Sequence, residues 1–451
     1  MRHFISILAV GVTAVCGVEA ASAAAPAAPA VKEEYVRAPM PPGIQVIVTE
    51  LEGPVFADAN GKTLYKWPYQ SLRAGYVGDE KGRSACTTKV SRTSEGLFSP
   101  YPPGLVLPHL DTRPSCAAMW PPVTAPADAK PVDKWTVIKR PDGSSQWAYD
   151  GQALYTSVLD RQAGDVLGGT NRDQLKQMAG RYPVGPAPKI PPGFSVVTTF
   201  NGRLMVNADG YSVYVSDQDG PDKSNCRASC EDTWKPMLAP ALAKSDGEWT
   251  IVERAAGVRQ WAFRKKPLYT YNRDTSLYSQ QGSDVPGWHN VYTQQVAALP
   301  KPFQLIDTQK GVAVADAKGK AVYAYLCSDD SFDQLACDYP GSPSEYRIAI
   351  CGGGDIDRCL KRWPYVVADA NAKSDSKLWS VIEIEPRSGR LATAGESGAL
   401  RVWAYRGSPL YTYADDTEPG DVRGDQVGEM YGQRNGFTVL WVRDDFSHSE
   451  T

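Results

Sequence analysis

The 451-residue sequence has little of what most catalytic and metal sites require. Its only histidines are His3, His109, His289 and His448, with no paired ligand spacing among them. No Gly-x-Ser-x-Gly elbow, phosphate-binding glycine loop or His-Glu-x-x-His stretch occurs. Cys226 and Cys230 are separated by three residues, not the two of redox and zinc motifs. Beyond the N-terminus no apolar run reaches the ~18 residues of a transmembrane helix. Net charge is -3, so there is no basic footprint for nucleic acid or an anionic membrane. These absences leave no catalytic residue to name and no resident cofactor.

The N-terminus has the pattern of an export signal. Arg2 and His3 precede an apolar run from Phe4 to Val15, and Ala21-Ser22-Ala23 offers small residues for cleavage after Ala23. Lipid attachment at Cys16 is disfavoured, because Val15 stands where a small residue is usual. The mature chain is expected to be periplasmic or secreted. Residues 24–41, rich in Ala and Pro, are expected to form a tether. Removing Cys16 from nine cysteines leaves eight, an even number suited to disulfides in an oxidising compartment.

Gly 40 and Pro 35 suit short strands joined by turns. Three units follow the tether, at 42–183, 191–297 and 301–443. Each opens on an alternating, β-branched strand, such as Ile44-Gln45-Val46-Ile47-Val48 or Phe194-Ser195-Val196-Val197, followed by a Gly-tipped hairpin. Each then has a cysteine four residues before a tryptophan: Cys116 and Trp120, Cys230 and Trp234, Cys359 and Trp363. Each closes on an aromatic hairpin: Gln146-Trp147-Ala148-Tyr149, Gln260-Trp261-Ala262-Phe263, or Val402-Trp403-Ala404-Tyr405. A unit is itself duplicated, giving six half-repeats. The expected fold is all-β, with three tandem units of two small antiparallel sheets each. The competing architecture is a six-bladed propeller with one blade per half-repeat.

Every half-repeat carries a tyrosine, often an aromatic at i+2 and an aspartate at i+5. The copies are Tyr65 with Trp67; Tyr155 with Asp160; Tyr214 with Asp219; Tyr269, Tyr271 and Asp274; Tyr323 with Tyr325; and Tyr411, Tyr413 and Asp416. With these residues the chain resembles the bacterial "secreted repeat of unknown function" family, predicted lipoproteins with a Tyr-x-(Phe/Trp/Tyr)-x-x-Asp motif. The resemblance covers nearly all of the chain after the tether. It implies an exported β-rich protein and brings no catalytic residues. The poor lipobox and the long insertions in units one and three depart from the family pattern.

The tyrosines and their i+2 aromatics fit packing of sheet on sheet, against a competing ligand platform. The aspartate cannot reach back along its own strand. It is expected to pin the loop that follows, against a competing calcium site in the carboxylate-dense stretches 217–222 and 415–421. The expected disulfides are Cys86 with Cys116 and Cys226 with Cys230, because each pair precedes the equivalent tryptophan. Cys359 takes Cys351 or Cys337, leaving Cys327 with the other. The expected function is a non-catalytic envelope module that binds a partner protein or polymer. The alternative is a carbohydrate-binding or carbohydrate-cleaving protein with exposed Trp and Tyr faces.

Overall fold

The turns show why the aromatic hairpins form. Asp150-Gly151, Arg264-Lys265 and Arg406-Gly407 all have positive φ at both central positions, the geometry that follows strand twist in a two-residue hairpin. They join strands Ser145–Tyr149 and Gln152–Ala153 in unit one, Val258–Phe263 and Lys266–Pro267 in unit two, and Leu400–Tyr405 and Ser408–Tyr411 in unit three. The computed structural model describes residues 31–72, 75–89, 98–99, 105–106, 114–168, 181–326, 347–348, 350–428 and 436–444.

The fold is all-β, built from many small antiparallel sheets. In unit three the opening hairpin, Gln304–Thr308 with Gly311–Ala315, is completed by Trp441–Asp444. The other sheet has six strands and mixes both halves, with Ser408–Tyr411 beside Tyr323–Leu326. Unit two has the same plan, but its larger sheet divides at Leu268 into four and three strands. Its opening hairpin, Phe194–Thr199 with Gly202–Asn207, is completed by Tyr292–Gln295 from the other half. Half-repeats therefore share sheets, which excludes a propeller with one half-repeat per blade.

The cysteine–tryptophan spacing is one turn of helix. Short helices at Cys116–Met119, Ser229–Thr233 and Ile356–Arg362 end at Trp120, Trp234 and Trp363. Each tryptophan N–H donates to the carbonyl of the cysteine four residues earlier. The strand-based sequence reading contains no such helix. Disulfides join Cys86–Cys116, Cys226–Cys230 and Cys351–Cys359. Cys327 and Cys337 lie outside the described residues.

The tips of two opening hairpins tie the units together within one compact body, Val31–Thr451. Leu51, from the tip of unit one, is 1% exposed in a cluster with Phe303, Trp379 and Trp403 of unit three. Phe200, from the tip of unit two, stacks on Tyr405 with ring centroids 5.5 Å apart. Beside Leu51, the Glu50 carboxylate accepts from the Ser376 hydroxyl at 2.8 Å and the Lys377 N–H at 2.9 Å. Gln294 of unit two donates to the Glu50 carbonyl at 2.8 Å.

The end of the expected tether is part of this body. Glu33 is 3% exposed and pairs with Arg203 through bonds of 3.0 and 3.2 Å, while the Thr293 hydroxyl adds a third at 2.6 Å. Glu33, between Lys32 and Glu34, belongs to the stretch expected to form a tether. Here an arginine 170 residues away removes it from water.

Candidate functional site

The repeat signature builds a buried polar site in each unit. At its centre two tyrosines face each other across paired strands: Tyr65 with Tyr155, Tyr214 with Tyr269, Tyr323 with Tyr411. All six are at most 2% exposed. Their hydroxyls consequently need partners.

The partners are exchanged between halves. Tyr214, in the first half of unit two, donates to Asp274 of the second half at 2.8 Å. Tyr269, in the second half, donates to Asp219 of the first at 2.8 Å. Unit one repeats this, with Tyr65 on Asp160 at 2.9 Å and Tyr155 on Asp79 at 2.7 Å. In unit three Tyr323 donates to Asp416 at 2.6 Å. Each aspartate thus serves the tyrosine of the opposite half, a role that its position in sequence does not reveal. Its other oxygen does hold the following loop, as in the bonds from Leu167 N–H to Asp160 and from Arg423 N–H to Asp416.

Three further residues complete the site. The helix-ending tryptophan meets the first-half tyrosine edge-on, with centroids 5.2 Å apart for Tyr65–Trp120, 5.4 Å for Tyr214–Trp234 and 5.2 Å for Tyr323–Trp363. The i+2 aromatic covers the tryptophan from another side: Tyr271 lies 4.5 Å from Trp234, and Tyr413 lies 4.4 Å from Trp363. Trp67 is covered by Arg181, whose guanidinium sits 4.0 Å from the ring centre. Tyr325 instead packs on Phe437.

A glycine eight residues after the second-half aspartate admits the tyrosine ring. A Cβ on Gly282 would lie 2.6 Å from the Tyr214 ring, and one on Gly424 would lie 2.6 Å from Trp363. The N–H groups of Gly282 and Gly424 donate to the Tyr214 and Tyr323 hydroxyls at 3.2 Å. Sequence reasoning missed these glycines, although the spacing Asp160–Gly168, Asp274–Gly282 and Asp416–Gly424 repeats without change.

In units one and two an arginine backs the second tyrosine. Arg140 donates to Ser84, Gln146 and the Cys86 carbonyl, and Ser84 bonds the Tyr155 hydroxyl. Arg254 repeats this with Ser224, Gln260 and the Cys226 carbonyl. Unit three has Ile384 and Val402 where units one and two have that arginine and glutamine. A different buried arginine, Arg347, bonds Cys359 Sγ at 3.2 Å and the Tyr365 hydroxyl at 3.0 Å, and its guanidinium lies over the Tyr411 ring.

Burial dominates the electrostatics. It pushes the Asp79 carboxyl up to about 6 and that of Asp160 up to about 7, against the opposing pull of donated hydrogen bonds. It likewise pushes the Tyr269 hydroxyl up to about 12, and that of Tyr214 further. These groups are engaged with one another, so the arrangement is a lock between half-repeats and presents no nucleophile or open acid–base pair to solvent.

The competing readings of the motif lose their basis in this geometry. All twelve tryptophans are buried, so no exposed Trp face is available for stacking. Asp219, Asp274 and Asp416 are bound to tyrosine hydroxyls, and no metal-holding group of three or more His, Cys, Asp or Glu occurs among the described residues. No helix among them is long and apolar enough to cross a membrane.

A curated relative, one of the subunits of chromatin assembly factor 1 from Schizosaccharomyces pombe, is 26% identical over 102 residues. That match covers 21% of this chain, and the chain spans only 19% of that protein's length. No solved structure matches. A family described as "Secreted repeat of unknown function" matches residues 136–173 and 396–433. These stretches hold the aromatic hairpins, Asp160 with Gly168, and Asp416 with Gly424. The chain therefore carries two matched copies of the secreted repeat of unknown function, in the second halves of units one and three.

Proposed function

We propose that this is an exported, non-catalytic protein of the cell envelope, whose three locked units form a rigid scaffold for binding a partner protein or polymer. The observation that supports this is the internal use of the signature: Tyr214, Tyr269, Asp219 and Asp274 are all buried and bonded to each other in crossed pairs. What the repeats supply is shape. Three disulfides among the described residues suit an oxidising compartment. The chromatin-assembly relative shares about a fifth of this chain, so that role is not carried over.

Cell fractionation with thiol alkylation, followed by cross-linking in intact cells, tests this reading. The expected result is an exported protein with no alkylatable cysteine, cross-linked to a defined envelope partner or polymer. A reduced protein in the cytoplasm, or substrate turnover by the purified chain, would overturn it.

A further inference from the structure

We propose that the cleft between units two and three binds a neutral oligosaccharide through side-chain amides and an aliphatic wall. This deepens the binding reading above and rests on it. The cleft is open to solvent and holds about 340 Å³, at the lower end of the range for ligand sites. Strands Trp288–Asn290 and Tyr292–Gln295 of unit two form one side, and the opening hairpin of unit three with Val442 and Arg443 forms the other.

Gln280 is the recognition group. It is 7% exposed and lines the cleft. Its Oε1 accepts from the Tyr292 hydroxyl at 2.7 Å and from Asn201 at 3.4 Å, which fixes the amide's orientation. Its Nε2 makes no hydrogen bond among the described residues, so a donor is held ready for an acceptor from outside. The tyrosine–aspartate lock positions it. Gln280 follows Ser279, whose hydroxyl donates to Asp274 at 3.0 Å, and precedes Gly282 by two residues.

The remaining lining selects the ligand class. Arg443 is paired with Asp284 at 2.6 Å, and His289 with Asp217 at 2.8 Å. Arg443 already faces a carboxylate and His289 is hydrogen-bonded to one, so the cleft offers an anion no unbalanced charge. Leu305, 51% exposed, joins Val312 and Val442 as an apolar wall. Amides on one side and aliphatic carbon on the other match a pyranose, which has hydroxyls around its edge and C–H groups on its faces.

The test titrates the mature chain, by calorimetry and amide NMR, with neutral tetrasaccharides of glucose, mannose and N-acetylglucosamine and with a polyuronate of equal length. Gln280→Leu removes the whole amide while keeping volume, and with it the acceptor of the Tyr292 hydroxyl, so a second variant that leaves this bond intact decides the outcome. Leu305→Arg, on an exposed side chain, fills the cleft without touching the lock. At least one neutral tetrasaccharide is expected to bind, with Kd weakened about tenfold or more in both variants and no binding of the polyuronate. Absence of saturable neutral-sugar binding, or wild-type affinity in Leu305→Arg, overturns the inference. Tighter binding of the polyuronate, lost in Leu305→Arg, overturns the ligand class while leaving the binding reading intact. A cross-linked envelope partner mapped elsewhere on the chain does the same.

Discussion

Tyr214→Phe and Asp274→Ala, made singly and together, test the exchange of partners between half-repeats. The bond is 2.8 Å long between groups 60 residues apart, and both residues are buried. A buried polar group left without its hydrogen-bond partner costs about 1–3 kcal/mol. Tyr214→Phe leaves Asp274 its bond from Ser279 and should cost about 2 kcal/mol. Asp274→Ala removes the bonds from Tyr214 and from Ser279 and should cost about 3 kcal/mol. If the two residues act as one lock, the double variant should fall short of the sum by about 2 kcal/mol. Urea denaturation at neutral pH, read by tryptophan fluorescence, measures all four proteins. Tyr269→Phe with Asp274→Ala is the control, since Tyr269 belongs to the same half as Asp274 but bonds Asp219. That pair should be additive within about 0.5 kcal/mol. The reverse pattern, with coupling inside a half and additivity across halves, would refute the exchanged lock.

Burial of Asp79 predicts an unusual pH dependence. Its carboxyl is pushed from 3.8 to about 6, so the folded chain binds a proton there that the unfolded chain has released. This contribution is complete below pH ~4 and is lost as pH rises through about 6, a swing of about 3 kcal/mol at ~1.4 kcal/mol per pH unit. Urea midpoints from pH 4 to 8 should therefore show Asp79→Asn losing less stability over that interval than the wild type. Gly282→Ala forces a methyl against the Tyr214 ring, and thermal melts should show a loss of about 2–3 kcal/mol or more. Leu51→Ala empties the junction between units and should cost about 3–5 kcal/mol. Limited proteolysis should then cut near Pro188, where the wild type resists. Glu33→Ala strands the Arg203 guanidinium and should cost about 3–5 kcal/mol by denaturant titration, an outcome not expected of a solvated tether.

Much of this molecule is legible in the sequence because it is local. Alternating β-branched residues specify the opening strands, since side chains two apart share a face. Asp150-Gly151 specifies a two-residue turn, and Trp147 with its partners marks the strand beside it. Duplication within each unit shows as repeated spacing. Even the helix at Ile356–Arg362 has a local cause, a one-turn interval from Cys359 to Trp363 capped by Asp355, although strand-rich surroundings obscured it. The glycine eight residues after each second-half aspartate was equally visible, but its purpose was not.

What tertiary structure alone decided is who meets whom. A tyrosine signature specifies burial, yet a hydroxyl can be satisfied by any acceptor the fold brings within ~3 Å. The fold brings an aspartate from the opposite half, because antiparallel pairing of Tyr214 with Tyr269 places each loop over the other's ring. In unit one an insertion moves the acceptor for Tyr155 to Asp79, which no fixed spacing from Tyr65 would locate. Leu51 and Glu33 are likewise ordinary residues in sequence. They become a junction and a buried ion pair only when three units close upon two hairpin tips. Periodicity along a chain records which face is apolar, and contacts between distant segments are set by the packing of those faces.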